Sequence, residues 1–385
     1  MTKHYLPLLF LSTCLLAAEI LSPATIQERV TTENLKEIVL ANELISCSIL
    51  PEASGLFSRF EYLPNHRSLF VPIKLSVERD DLMPTRINAN ATGVRELLWG
   101  MRRFHNLPMT IIARQGNGET VSITMRQRFF CGSPLTAEKT LELPGGDSSL
   151  LRCHFTLQNP SSKPVQASLW CNLIAKLGLK LLDPVVMPVK GGIYRVQNRG
   201  ITGFRKDAVY LENDPSSIDV FTAPGRPWIA RFSHENPGVL VMRCTTDGAL
   251  GPESRFYSYK RGERTMELIC APVSIAPGSS HTWDFEYIYF PTLNMVRDVA
   301  GSYAVNRRDQ PNATILELEP CIPVPAGQLT LANGQIFQIP AMRPGQLHTI
   351  AISQTPLDTV LSGTLPDHAV FCINPLVTET DIGLE

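Results

Sequence analysis

Two short segments of the chain carry polar and aromatic side chains that could bind a ligand. In one segment Arg152 and His154 alternate with apolar residues, and in the next Trp170 and Asn172 do the same. Alternation of this kind places the polar side chains of a strand on one face. An indole ring beside an imidazole, an amide and a guanidinium can hold a sugar, because the C–H face of the sugar ring stacks on the indole while its hydroxyl groups form hydrogen bonds.

The four side chains share a surface if their two segments pair as neighbouring strands. The segments are Leu150–Gln158 and Val165–Leu173, and each has apolar residues at every second position. A slip of one residue would send every apolar side chain into water, so we expect the two apolar rows to coincide. The predicted strand Thr120–Phe130 adds Arg126 to the polar face if it joins the same sheet. The alternative interpretation is a solvated sheet face that carries one tryptophan.

The rest of the chain also predicts short antiparallel strands. Charged residues make up 18% of the 385 residues, and there are 30 prolines and 25 glycines. Long helices need more charged residues and fewer such breaks, so the composition favours an all-β protein. The further predicted strands are Gly238–Cys244, Thr265–Val273 and Trp283–Phe290, and a hairpin of Gln328–Ala332 and Gln335–Ile339 around an Asn333-Gly334 turn.

The N-terminus is typical of a secretory signal peptide. Lys3 precedes an apolar run from Leu6 to Ala18, which is too short to span a bilayer. Leu11–Cys14 resembles a lipoprotein box, but Thr13 before the cysteine fits it poorly. We therefore expect export to a periplasmic or extracellular location rather than lipid anchoring. No other stretch reaches about 18 uninterrupted apolar residues, so no membrane span is predicted.

The chain divides into three predicted regions. Its length allows two or three domains. Only Leu293–Asn306 has a helical pattern, and the polar stretch Arg307–Pro311 that follows is typical of a linker. We therefore predict a signal peptide over residues 1–18, a large β-domain over 19–306 and a small C-terminal β-domain over 307–385.

Charge and motif content exclude several classes of partner. The net charge of −1 gives no positive field for phosphates, so neither nucleic acid nor an anionic membrane is an expected partner. The nine cysteines include no CxxC pair, and the eight histidines include no HxH or HExxH motif. We therefore predict no metal and no cofactor. The scattered cysteines are expected to be buried as small apolar side chains, although some could pair in an oxidising compartment.

Four motifs between about residues 34 and 292 resemble those of one superfamily. A strand in Asn42–Ser58 ends in a Pro-x-x-x-Gly turn, and Leu98–Arg103 is similar to a His-Gly-x-x-Arg segment. Phe155–Pro164 is similar to an Asn-rich strand-turn-strand, and Val273–Ser279 to a Pro-Gly turn before a long strand. These motifs resemble the galactose mutarotase-like, or aldose epimerase-like, β-supersandwich proteins. The resemblance implies that fold and a sugar on the concave face of its large sheet. The residues after it are expected to form a small β-sandwich-like domain.

The departures from that superfamily point to a non-epimerase branch. Its catalytic members have a histidine that serves the ring oxygen of the sugar, and this chain has Asn172 there, which cannot exchange a proton near neutral pH. Trp99 stands where the superfamily has the histidine of its His-Gly pair. The resemblance adds Trp99 and Arg103 to the expected sugar-binding residues.

Three functions stay open at this stage. The first is an exported carbohydrate-binding protein with or without glycan-processing activity. The second is an aldose 1-epimerase-type enzyme in which Glu253 acts as base and His154 as acid, because mutarotation needs one group on the anomeric hydroxyl and another on the ring oxygen. An exposed turn residue is the simpler interpretation of Glu253. The third is a structural or protein-interaction module. The sugar-binding residues expected for the first function are Trp99, Arg103, Arg126, Arg152, Trp170 and Asn172.

Overall fold

The computed structural model describes residues 23–80, 83–89, 92–100, 107–116, 118–178, 183–190, 192–196, 220–233, 235–258, 260–261, 263–356 and 358–375. Regular structure in these ranges is almost entirely β-strand, which confirms the all-β prediction. Single-turn 3-10 helices are formed by Pro51–Ala53, Leu63–Asn65 and Phe130–Gly132.

The strands are numbered in chain order. The first twelve are β1 Thr25–Val30, β2 Lys36–Ala41, β3 Ile45–Leu50, β4 Leu56–Tyr62, β5 Arg67–Ser68, β6 Leu75–Asp80, β7 Met83–Ala89, β8 Gly93–Leu98, β9 Thr110–Gly116, β10 Thr120–Gln127, β11 Thr136–Pro144 and β12 Leu150–Gln158. The next thirteen are β13 Val165–Ala167, β14 Leu169–Ile174, β15 Val185–Val189, β16 Gly192–Val196, β17 Val220–Thr222, β18 Trp228–Phe232, β19 Val239–Cys244, β20 Arg255–Ser258, β21 Lys260–Arg261, β22 Glu263–Arg264, β23 Met266–Ile269, β24 Val273–Ile275 and β25 Ser280–Phe290. The last eight are β26 Asp298–Ala300, β27 Tyr303–Gln310, β28 Ala313–Pro320, β29 Gly327–Leu331, β30 Ile336–Ile339, β31 His348–Ser353, β32 Leu361–Thr364 and β33 Val370–Ile373.

Two large antiparallel sheets dominate the described residues. The first sheet has the strand order β1-β2-β3-β4-β8-β14-β23-β20-β17, with β5 paired to β4. The second sheet has the order β16-β15-β18-β19-β25-β12-β11-β10-β9. Buried and partly exposed residues alternate along β11 and β12, as expected for strands that cover a core on one face only.

The inner faces of the two sheets pack against each other around one core. Leu151 and Cys153 of β12 lie in that core together with Cys171 of β14. A buried ion pair also joins the sheets, since Lys139 Nζ of β11 lies 2.6 Å from Glu96 Oε2 of β8. The outer faces of the two sheets therefore point in opposite directions.

Strands β26 to β33 form a C-terminal module with a core of its own. Its two four-stranded sheets have the orders β26-β27-β28-β31 and β30-β29-β32-β33. Leu316, Leu329 and Phe371 are buried between them. A separate cluster that includes Val241 of β19 and Ala304 of β27 packs this module onto the outer face of the second sheet.

The structure corrects the sequence prediction between the two β-regions. The helix predicted over Leu293–Asn306 and the linker predicted over Arg307–Pro311 are both wrong. Tyr303–Gln310 is a strand instead, and every one of its residues is paired with Ala313–Pro320. This strand crosses the position 306/307 at which the sequence analysis separates the two domains. Pairing in the hairpin outweighs the weak local helical pattern.

The described residues also bear on membrane spanning and on metal binding. No helix within the described ranges is long and apolar enough to cross a bilayer. The same residues contain no group of three or more His, Cys, Asp and Glu side chains placed to hold a metal ion. The predicted signal peptide over residues 1–18 lies outside the described residues.

Candidate functional site

The hairpin predicted from Leu150–Gln158 and Val165–Leu173 is wrong. Strand β12 pairs with β11 and β25 in the second sheet, whereas β14 pairs with β8 and β23 in the first sheet. The apolar rows of both strands do meet, but they meet across the core rather than side by side. Arg152 and His154 therefore lie on the opposite side of the sandwich from Trp170 and Asn172, and the four do not form one site.

Cross-strand contacts with carboxylates account for the three polar residues that the sequence analysis assigns to the sugar site on this sheet. Arg152 Nη1 lies 2.9 Å from Glu142 Oε1, and His154 Nδ1 lies 2.6 Å from Asp284 Oδ1. Arg126, which the sequence also placed in the sugar site, lies 2.8 Å from Glu138. These partners sit directly opposite on neighbouring strands, which is typical of a solvated sheet face.

The acid and base expected for an epimerase are also apart. His154 lies on the outer face of the second sheet, where it contacts Asp284. Glu253 lies in the exposed loop before β20, a strand of the first sheet. Arg103, expected as a further sugar-binding residue, lies outside the described residues.

The outer face of the first sheet brings Trp99, Trp170 and Asn172 together with residues that were not predicted from the sequence, above all Arg95, Tyr257 and Glu267. Four neighbouring strands, β8, β14, β23 and β20, align their outward residues in rows. One row consists of Arg95, Asn172, Glu267 and Tyr257, and the next consists of Leu97, Trp170, Ile269 and Arg255. Trp99 follows β8 directly and extends this surface, which we call the aromatic face.

Three aromatic rings border one another on the aromatic face. The ring centroids of Trp99 and Trp170 are 5.2 Å apart, with their planes at 85°. Tyr257 lies 6.4 Å from Trp99. Edge-to-face contacts of this kind fix the orientation of each ring. The Trp99 side chain is 42% exposed, so it is open to a ligand from solvent.

A buried carboxylate lies beside these rings. Glu267 is 1% exposed. Its Oε2 accepts a hydrogen bond of 2.6 Å from the indole Nε1 of Trp170, and its Oε1 accepts one from the hydroxyl of Thr265. The carboxylate thus holds the Trp170 ring in place, because hydrogen bonds to a charged acceptor are shorter and stronger than neutral ones.

Arg95 and Asn172 supply complementary polar groups. Asn172 is the cross-strand partner of both Arg95 and Glu267. Burial lowers the pKa of the Arg95 guanidinium below its usual value, but an arginine keeps its charge at neutral pH. The row therefore places a cation, an amide and a buried carboxylate in sequence, of which Arg95 and Asn172 are the less buried members. Such a row can donate hydrogen bonds to the oxygen atoms of a hydroxylated ligand and accept them from its hydroxyl groups.

One of the missed residues carried a signal in the sequence. Glu267 is the only charged residue in the run Met266–Cys270, which otherwise consists of apolar residues. A charged residue inside such a buried strand needs a partner, and this requirement makes it a candidate for a site. Arg95 and Tyr257 gave no comparable signal, because their roles depend on which strands become neighbours.

Comparisons with known proteins give structural similarity only. No protein-family model matches the chain, and no curated protein matches it. A TPR-domain containing protein from Parabacteroides distasonis has 10% sequence identity and a TM-score of 0.47, covering 70% of this chain and 53% of that one. A galactose mutarotase-like protein from Clostridium acetobutylicum has 11% identity and a TM-score of 0.46, covering 71% and 99%. A galactose mutarotase-like protein from Lactobacillus casei has 10% identity and a TM-score of 0.42, covering 66% and 99%. The last two carry the name of the superfamily that the sequence motifs resemble.

Proposed function

We propose that this chain binds a carbohydrate on the aromatic face of the first sheet. The observation that carries the proposal is the buried carboxylate of Glu267, which is hydrogen-bonded to the indole of Trp170 and aligned with Asn172. Aromatic rings and hydrogen-bonding groups thus occur side by side on one surface. This combination suits a ligand that has an apolar ring face and polar edges, as a sugar does.

The aromatic rings would bind the C–H face of the sugar. Trp99 is the most exposed of the three and provides the accessible ring. Trp170 is fixed by Glu267 and Tyr257 borders Trp99, so little side-chain freedom is lost when a ligand arrives. A rigid aromatic surface of this kind binds at a low entropic cost.

The polar row would bind the hydroxyl groups. Arg95 donates hydrogen bonds and the amide of Asn172 both donates and accepts them, while the buried Glu267 holds Trp170 in place beside them. A sugar hydroxyl can donate to one of these groups and accept from its neighbour at the same time. The polar row therefore orients the sugar and selects among sugars, whereas the rings provide most of the contact area.

The proposal is limited to binding. His154, the expected acid of an epimerase, lies on β12 of the second sheet, whereas Glu253, the expected base, lies in the loop before β20 of the first sheet. None of the described histidines lies on β8, β14, β20 or β23. These four strands thus place no imidazole beside the Glu267 carboxylate.

Glycan-array screening of the mature chain tests the proposal. After a binding sugar is found, calorimetry should show that Trp99→Ala and Trp170→Ala each weaken binding about fivefold to 150-fold, since losing a stacking ring costs roughly 1–3 kcal/mol. Trp99 is partly exposed, so its loss is compatible with a folded chain. Arg152→Ala is the matched control, because Arg152 lies on the opposite side of the sandwich. Absence of any glycan ligand, or an equal loss in all three variants, would refute a sugar site on the aromatic face.

We also propose export of the chain, on the basis of the signal-peptide pattern in residues 1–18. Expression of the full sequence followed by N-terminal sequencing of the secreted product tests it. The expected product begins near Glu19 and leaves the cytoplasm. An intact N-terminus on a cytoplasmic product would contradict export.

A further inference from the structure

A cavity of about 560 Å³ lies where the C-terminal module meets the second sheet. On the side of the sheet it is lined by Trp228 of β18 and by Leu250 in the loop after β19. On the side of the module it is lined by Val299 of β26 and Val370 of β33. A cavity of this volume can hold a small organic molecule, and these apolar walls suit a ligand that has an apolar body.

Two arginine side chains also line the cavity. The side chains of Arg226 and Arg243 are 29% and 14% exposed. Arg226 Nη1 donates to Asp298 Oδ2 at 2.5 Å, and Arg243 Nε donates to Glu286 Oε2. Among the described residues, neither Nη group of Arg243 and not the Nε of Arg226 has a hydrogen-bond partner. The cavity therefore offers positively charged donors that the protein itself does not use.

A buried carboxylate fixes one guanidinium and the ring beside it. The side chain of Asp298 is 0% exposed. Its Oδ1 accepts a hydrogen bond of 3.2 Å from Trp228 Nε1, and its Oδ2 accepts from Arg226 and from the N–H of Cys372 at 2.6 Å. Arg243 is the cross-strand partner of Trp228, so both arginines border the same indole. A ligand therefore meets two positioned guanidinium groups, and little side-chain freedom is lost when it binds.

The carboxylate that holds Arg243 is balanced by a second arginine. Glu286 Oε1 lies 3.9 Å from Arg152 Nε, and Arg152 Nη1 lies 2.9 Å from Glu142 Oε1. Glu286 therefore does not neutralise Arg243 alone, and Arg243 can still attract a further anion. Among the residues that line the cavity only Asp247 is acidic, and it is exposed. The cavity lining thus has an excess of positive charge.

We propose that this cavity is a second ligand site, which binds a small organic anion with an apolar body, such as an aryl or alkyl carboxylate. The carboxylate accepts charge-assisted hydrogen bonds from the free N–H groups of Arg243 and Arg226. The apolar body lies against Trp228 and Val370. The inference is independent of the proposed carbohydrate binding, because the aromatic face belongs to the first sheet and the cavity to the second.

Isothermal titration calorimetry of the folded full chain tests the site with three probes. 4-Phenylbutyrate has both the anion and the apolar body, 4-phenylbutanamide has the body without the charge, and inorganic phosphate has the charge without the body. We expect saturable binding of 4-phenylbutyrate and binding of the amide that is weaker by about tenfold or more. No saturable binding of 4-phenylbutyrate up to about 10 mM overturns the proposal, as does equal binding of the amide or of phosphate.

A variant of Arg243 tests the role of the free donors. Arg243→Gln should weaken binding of 4-phenylbutyrate about tenfold or more, because charge-assisted hydrogen bonds are lost. Glu286 keeps Arg152 as a cationic neighbour, so the variant is expected to fold. The matched control is Arg126→Gln, which removes an arginine paired with Glu138 on the same sheet face but outside the cavity. Equal affinities of the two variants overturn the proposal.

A second variant tests the site without changing either arginine. Val370 is 62% exposed at the rim of the cavity, so a glutamate is tolerated there. Val370→Glu places a like charge beside the bound anion and should weaken binding about fivefold. Val360→Glu is the control, since Val360 is 50% exposed in the same module and does not line the cavity. An equal loss in both variants overturns the site, as does a loss of binding in Trp99→Ala, which would place the anion on the aromatic face.

Discussion

The buried ion pair between Lys139 and Glu96 should be a large contributor to the stability of the sandwich. The two side chains are 0% and 2% exposed and come from opposite sheets. Burial alone would lower the pKa of Lys139, but the Glu96 carboxylate outweighs burial and the pKa is raised. Lys139 is therefore charged at neutral pH. Removing one partner leaves a buried charge without compensation, which costs about 3–5 kcal/mol.

The other contacts of the pair do not replace the lost charge. Lys139 Nζ also donates to Gly55 O at 3.0 Å, and Glu96 Oε1 accepts from the Tyr287 hydroxyl at 3.3 Å. The Cys153 thiol also donates to Glu96 Oε1 at 3.7 Å. All of these partners are neutral, and such a hydrogen bond contributes about 1 kcal/mol. We therefore expect Lys139→Met and Glu96→Gln each to lower the free energy of unfolding by about 3–5 kcal/mol.

A double-mutant cycle measures the coupling between the two residues. Urea unfolding of the wild type, both single variants and the double variant gives the midpoint and the slope of each transition. The loss in the free energy of unfolding of the double variant should be smaller than the sum of the two single losses by at least about 2 kcal/mol, because both charges are then gone. Single variants within about 0.5 kcal/mol of the wild type, or strictly additive losses, would refute the buried-pair argument.

Two further predictions concern a titrating carboxyl and a turn. Burial raises the pKa of Glu319 from 4.5 to about 7, although it accepts hydrogen bonds from Thr292. The folded state thus binds the Glu319 proton more tightly than the unfolded state does. This difference contributes about 3 kcal/mol to the free energy of unfolding below pH 4.5, and the contribution is lost as the pH rises through 7. Unfolding free energies of the wild type and Glu319→Gln should therefore diverge between pH 5 and pH 8, and parallel curves would contradict this. Gly93→Ala should lower Tm far more than Gly100→Ala. Both glycines have a positive φ, but only at Gly93 would the added Cβ lie 2.1 Å from Phe57 O. Similar Tm values for the two variants would disprove the clash.

Local patterns predicted several of the strands, although they failed at Tyr303–Gln310. Leu150–Gln158 was predicted with the observed bounds, and the hairpin around Asn333-Gly334 is confirmed by the pairing of Gly327–Leu331 with Ile336–Ile339. Both features depend on neighbouring residues only, because alternation and turn chemistry act over a few positions. The buried face of each strand follows from the same alternation, as the burial of Cys153 and Cys171 shows.

The candidate site could be predicted only in part. Trp99, Trp170 and Asn172 do lie on one surface, whereas Arg152, His154 and Arg126 lie on the other sheet. The alternating pattern predicted the correct parity of these residues within their strands. It placed them in one site because strands that follow each other in the chain often pair, and β12 and β14 do not.

The sequence by itself thus determined where strands with strong alternation lie and which of their side chains face the core. Only the tertiary structure decided which strands are neighbours, and hence which outward side chains share a surface. The contact between Trp170 and Glu267 illustrates the reason, since the two residues are 97 positions apart. Pairing over such a separation is selected by packing of the whole core, and no local pattern records it.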